Sequence, residues 1–165
     1  MIHHLITVHR RAFLFTLAGA ASAIDTHQFV PKFFARTLDG EKYNNDTIKG
    51  KVLLIQFWAT WCPKCRSDQD SVDVIAAEYA AKGVVVLAVD VGESKRKVTD
   101  YLRRAPRSCK IVLNQDTNLP AQFEARVFPY YVVINADGKV AGEQKGAGGE
   151  RALRELLRRA GVDTE

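Results

Sequence analysis

The sequence predicts an α/β fold, a central, partly parallel sheet covered on both faces. Three observations predict it. The apolar runs Val52–Trp58, Val84–Asp90 and Tyr130–Ile134 are short and rich in branched or aromatic residues, which is the signature of buried strands. Segments with helical apolar spacing alternate with them, the pattern of strand–helix–strand units. Asn135-Ala136-Asp137-Gly138 then turns the chain within four residues. A turn of that length cannot make a parallel crossover, so the closing strands must be antiparallel.

The elements follow in order. Residues 30–50 form a leading segment with a hairpin turn at Leu38-Asp39-Gly40-Glu41. The Val52–Trp58 strand leads through Ala59-Thr60-Trp61 into a helix predicted over 62–82, with Cys65, Val72, Ile75, Ala76 and Tyr79 on one face and Gly83 as its stop. After the Val84–Asp90 strand, residues 94–104 read as an amphipathic helix with Val98, Tyr101 and Leu102 inward, ending before Pro106. Residues 110–113 are a short strand and 118–125 a short helix anchored by Leu119 and Phe123. The Tyr130–Ile134 strand turns into a partner beginning at Lys139. A last helix over 150–160 places Leu153, Leu156 and Leu157 inward.

Cys62-Pro63-Lys64-Cys65 stands at the first strand-to-helix junction. Pro63 occupies a helix position that tolerates a missing N–H. The unpaired amides and the dipole of a helix N-terminus favour negative charge, so they should stabilise a Cys62 thiolate, with the Lys64 cation nearby. Cys62 is therefore expected to be the exposed, nucleophilic thiol and Cys65 the buried one. A zinc site would need about four ligands, and the chain adds only Cys109 and the scattered His3, His4, His9 and His27. A structural bridge across two residues closes too small a loop to stabilise much. Redox chemistry is the reading that the strand–turn–helix setting favours. Cys109, before Ile111-Val112-Leu113, reads as a buried thiol.

At 165 residues and 47% apolar content the chain amounts to one globular domain. Arg10-Arg11 followed by a short apolar run ending Ala21-Ser22-Ala23 reads as an export signal over 1–23, too short for a comfortable membrane span. An uncleaved amino-terminal anchor is the alternative. His9-Arg10-Arg11-Ala12-Phe13-Leu14 also resembles the twin-arginine signal. Residues 24–29 are then a linker and 30–162 the domain. An exported domain occupies a compartment, such as the periplasm, where disulfides persist. Removal of the signal lowers the formal charge from +5 to +3, and the remaining basic residues lie in short helical runs. A nucleic-acid surface would want a concentrated basic stripe with interleaved aromatics, and none is present.

From Phe57 to Cys65 the chain reads Phe-Trp-Ala-Thr-Trp-Cys-Pro-Lys-Cys. This resembles the signature of the TlpA/ResA/CcmG-like exported thiol–disulfide oxidoreductases of the thioredoxin superfamily. Val89-Asp90-Val91-Gly92-Glu93-Ser94, Val127-Phe128-Pro129 and Asn135-Ala136-Asp137-Gly138-Lys139 are similar to that family's second-strand exit, cis-proline loop and terminal hairpin. The resemblance implies a thioredoxin-like fold with an extra helix and strand between Ser94 and Leu113 and a β-hairpin at its start. It implies a cis Pro129, with the backbone of Phe128 and neighbouring Tyr130 binding an extended substrate segment, and Trp61 and Lys64 supporting the cysteines.

Two departures bear on mechanism. The buried acid that thioredoxin carries six positions before its first cysteine is Gln56 here. The glutamate that this branch often has three positions after the second cysteine is Asp68, one helical turn from Cys65. Asp68 is expected either to take the proton of Cys65 or to be a surface carboxylate.

The resulting expectation is a protein-disulfide oxidoreductase acting through a mixed disulfide on protein disulfide or dithiol substrates. The resemblance favours reduction of exported proteins, in cytochrome c maturation or at metal-site thiols, with electrons from a membrane-bound reductant. No cofactor or bound metal is called for. A thiol peroxidase is the alternative enzyme, disfavoured because Thr60 lies two, not three, positions before Cys62 and no partner arginine is identifiable. A copper-handling domain is disfavoured because His27 is the single histidine after residue 23.

Overall fold

The computed structural model describes residues 28–165; the export-signal reading and most of the 24–29 linker lie outside them. Seven strands form one sheet: β1 (Phe34–Thr37), β2 (Lys42–Asn44), β3 (Val52–Trp58), β4 (Val84–Asp90), β5 (Lys110–Thr117), β6 (Tyr130–Ile134) and β7 (Val140–Lys145). Their order is β2-β1-β5-β4-β3-β6-β7. The central β5-β4-β3 ladders are parallel, and the hairpins at either edge pair antiparallel. Helices α1 (Pro63–Ser67), α2 (Gln69–Tyr79), α3 (Lys95–Arg104), α4 (Leu119–Gln122) and α5 (Gly149–Arg159) connect them.

Strand alternation divides the core in two. Leu54 and Trp58 of β3 face a cluster with Val72, Ile75 and Tyr79 of α2, Val98 of α3 and Leu153, Leu156 and Leu157 of α5. Leu53, Ile55 and Phe57 face the other side, against Val30, Phe33, Ile48, Leu119 and Phe123. All seven β3 residues are buried, as expected of a central parallel strand.

Several expected boundaries change. The helix predicted over 62–82 is broken at Asp68, which ends α1 and begins α2 at φ −95°, ψ −4°. Asp is a poor residue for a helix interior, and tertiary partners hold this side chain. A 3-10 turn over Ala80–Lys82 follows, closed by Gly83 at φ 77°. The strand expected over 110–113 runs on to Thr117, because pairing with β1 continues through Ala35–Thr117. The short helix is only Leu119–Gln122, and the last helix begins one residue early, at Gly149. The expected linker ends in structure: Val140 N–H bonds the Gln28 carbonyl, and Phe29 bridges to Lys139.

Candidate active site

The buried β3 strand delivers the C-x-x-C segment to the carboxyl edge of the sheet. Ala59 is buried, its carbonyl accepts from Cys62 N–H, and Cys62 is the N-cap of α1 with Pro63 in the first turn. The Cys65 N–H donates to Cys62 Sγ at 3.1 Å. Cys62 and Cys65 are joined as a disulfide, with their Cα atoms 5.2 Å apart. The expected contrast in exposure is not present in this oxidised form: Cys62 is 4% exposed and Cys65 2%. The disulfide ties the Cys62 sulfur back over the first turn of α1. Lys64 points to solvent.

The β3–β6 register sets Phe57 opposite Tyr130, which brings the residues just before β6 level with the C-x-x-C loop. The Phe128–Pro129 peptide bond is cis. Trp61, 58% exposed, meets the Phe128 ring edge-on with centroids 6.2 Å apart, and Val127 is exposed beside it. The two loops thus share an apolar rim. The Tyr130 side chain is buried, stacks on Phe57 and donates to Glu143. The alternation of β6 turns it inward, so Tyr130 has only backbone to offer a ligand.

Asp68 is buried, which removes the surface-carboxylate reading. Its carboxylate accepts from Tyr131 Oη at 2.8 Å and from the N–H groups of Gly148 (3.2 Å) and Gly149 (2.9 Å), so it also caps α5. Tyr131 stands opposite Gln56 in the β3–β6 register and accepts from Gln56 Nε2 at 3.1 Å. Gln56 Oε1 in turn accepts from the buried guanidinium of Arg107, which pairs with Asp73 and lies over Trp58. The guanidinium can only donate, so it fixes the Gln56 amide, and that amide turns the Tyr131 hydroxyl toward Asp68. Burial first, then the Asp68 charge, pushes the Tyr131 hydroxyl far above its usual ionisation range, and it stays a donor. Arg107 and Tyr131 escaped the sequence reading; no local motif marks either.

Asp90 and Glu93 lie in the segment similar to the family's second-strand exit, to which the sequence assigns no role. The Glu93 carboxylate accepts from Thr60 N–H (2.6 Å) and Thr60 Oγ1 (2.7 Å), two residues before Cys62, and pairs with Lys97 at 2.6 Å. Cys109 is a free, buried thiol, pushed up to about 12 by burial, with Asp73 and Arg107 beside it. Among the described residues no cluster of His, Cys, Asp and Glu suits a metal ion.

A model of the Redoxin family matches residues 25–157. The chain belongs to the Redoxin family. Among the similar proteins is the thiol-disulfide oxidoreductase ResA of Bacillus thuringiensis subsp. konkukian, 26% identical over 129 residues, covering 78% of this chain and 75% of the relative. ResA of Bacillus subtilis is 28% identical over 110 residues, covering 67% and 62%. The structure resembles that of a thiol:disulfide interchange protein of the thioredoxin family from Chlorobium tepidum, with TM-score 0.71, 24% identity, and 84% of this chain and 99% of that one covered. It also resembles StoA from Bacillus subtilis, with TM-score 0.67, 20% identity, and 78% and 97% covered. These likenesses establish the thioredoxin-like fold. This Redoxin-family chain is of the TlpA/ResA/CcmG-like kind, and its C-x-x-C pair makes it a protein-disulfide oxidoreductase.

Proposed function

We propose that Cys62 is the nucleophile and Cys65 the resolving thiol, and that the protein reduces disulfides of exported proteins. The observation that carries the Cys62 assignment is the Cys65 N–H directed at Cys62 Sγ; the reducing direction rests on the family resemblance alone, since a stabilised thiolate by itself favours an oxidant. A donor aimed at that sulfur favours its thiolate. The Cys62 thiolate attacks one sulfur of a substrate disulfide, forming a mixed disulfide and expelling the other sulfur as thiolate. Cys65, losing its proton, attacks Cys62 Sγ. The substrate leaves as a dithiol, carrying two electrons and, in net, two protons, and the Cys62–Cys65 bond re-forms. Asp68, one turn from Cys65, is the proposed acceptor of the Cys65 proton. Phe128 and Tyr130 contribute backbone, and Trp61 and Phe128 apolar contact, to an extended substrate segment. Substrates in cytochrome c maturation or at metal-site thiols suit this reading, with a membrane-bound reductant restoring the dithiol outside the cytoplasm. Among the described residues no helix is long and apolar enough to cross a membrane.

The test is the reduction potential of Cys62–Cys65, measured by equilibration with glutathione or dithiothreitol. A reductant should sit well below the roughly −120 mV of a strong oxidant such as DsbA. A value near that figure would reverse the proposed direction.

A further inference from the structure

We infer that Glu93 is a positioning residue for Cys62, gripping Thr60 through both carboxylate oxygens, and that Asp90 serves as its proton-sharing partner. The inference rests on Cys62 being the nucleophile.

Thr60 ends the run from β3 and begins the turn into Cys62. Both of its donors, the backbone N–H and Oγ1, go to Glu93. Glu93 itself is nearly buried, its side chain 5% exposed. A carboxylate taking two short bonds from one residue fixes that residue's backbone and side chain together. The next N–H that matters, that of Cys62, bonds Ala59, so a shift of Thr60 would be passed directly to the cysteine.

Asp90 ends β4, opposite Trp58 in the parallel ladder, and is fully buried. Its Oδ2 accepts from the N–H groups of Gly92 and Glu93, which folds the β4 exit back and brings the Glu93 side chain to Thr60. Asp90 Oδ1 is buried with no hydrogen-bond partner. The Glu93 charge acts on Asp90, so a proton held by Asp90 spares the pair from being two anions. The other charged groups around the pair are Lys97 of α3, on Glu93, and Arg107, over the Trp58 ring that neighbours Asp90. Neither bonds Asp90 Oδ1. Burial, and then the Glu93 charge, push the Asp90 carboxyl up to about 6. Above that range both carboxyls are anionic, and the grip on Thr60 weakens.

The test is the pH profile of Cys62 alkylation in the fully reduced, folded protein, with the labelled residue identified by peptide mass spectrometry. Wild type, E93A, E93Q and D90N are compared. Glu93→Ala frees Thr60 and should slow Cys62 labelling in the acid limb by about tenfold, the effect of a one-unit rise in the thiol pKa. Glu93→Gln keeps an acceptor for the Thr60 N–H and should restore most of that loss. Asp90→Asn should remove an inflection near pH 6 that the wild type shows. Superimposable E93A and wild-type profiles, or an E93Q profile shifted as far as E93A, would overturn the inference. So would an inflection that survives in D90N, and this arm decides the matter if E93A does not fold. First labelling at Cys65 or Cys109 would instead sink the assignment of Cys62 as nucleophile.

Discussion

Tyr131 donates its hydroxyl to the Asp68 carboxylate at 2.8 Å, tying the residue one turn beyond Cys65 to the centre of the sheet. Because Asp68 also holds the first N–H groups of α5, one side chain joins the redox helix, strand β6 and the last helix.

Asp68→Asn should slow resolution of a mixed disulfide. It should also cost stability, because an amide presents N–H groups where three donors already converge. Leaving one of them unpaired costs about 1–3 kcal/mol. Single-turnover release of a thiol from a Cys62 mixed disulfide, under conditions where the variant is folded, reads the first effect. A wild-type rate would leave Asp68 with the capping role alone.

Tyr131→Phe removes the middle of the Arg107–Gln56–Tyr131–Asp68 chain. Gln56 Nε2 is then buried without its acceptor, and Asp68 loses one of three donors. Urea denaturation should show a loss of about 1–3 kcal/mol with an unchanged m-value. A neutral effect would mean that the chain is not cooperative.

The amphipathic periods made most of the architecture legible. Val52–Trp58 and Val84–Asp90 have strand boundaries that match the structure, because both faces are covered and the whole run is apolar. The break at Asp68 was not legible, since it depends on Tyr131 and Gly148, more than sixty residues away. The same holds for the site. Cys62, Cys65 and Pro129 carry local motifs, whereas Glu93 acts on Thr60 only once β3 and β4 are paired. The inward turn of the Tyr130 ring follows from strand alternation once β6 pairs with β3, which no local motif marks.

Stability should fall as pH rises toward 6. The Asp90 carboxyl is raised in the folded state from 3.8 to about 6, so the folded protein binds the proton more tightly. The contribution is complete below the unfolded value and is lost through the folded one. Glu93 is held below its ordinary 4.5, chiefly by Lys97 and Thr60 against its own burial, so its opposite contribution changes at lower pH. Thermal melts between about pH 4.5 and 6 should therefore show a declining Tm in the wild type and a flatter one in Asp90→Asn. Parallel curves would show that Asp90 does not carry the proton.

Cys109 should be silent in the native state. With its thiol pushed up to about 12, it holds almost no thiolate at pH 8. Labelling of the folded, reduced protein should leave it unmodified, and unfolding should expose it. Modification in the folded protein at a rate comparable to Cys62 would assign it a redox role.

The most direct test of the account is trapping of a disulfide-bonded protein substrate by Cys65→Ser and Cys62→Ser, read on non-reducing gels. With Cys62 attacking and Cys65 resolving, Cys65→Ser should accumulate a mixed disulfide through Cys62 that dithiothreitol releases, while Cys62→Ser should accumulate none. Equal trapping by both variants, or trapping by Cys62→Ser alone, would contradict it.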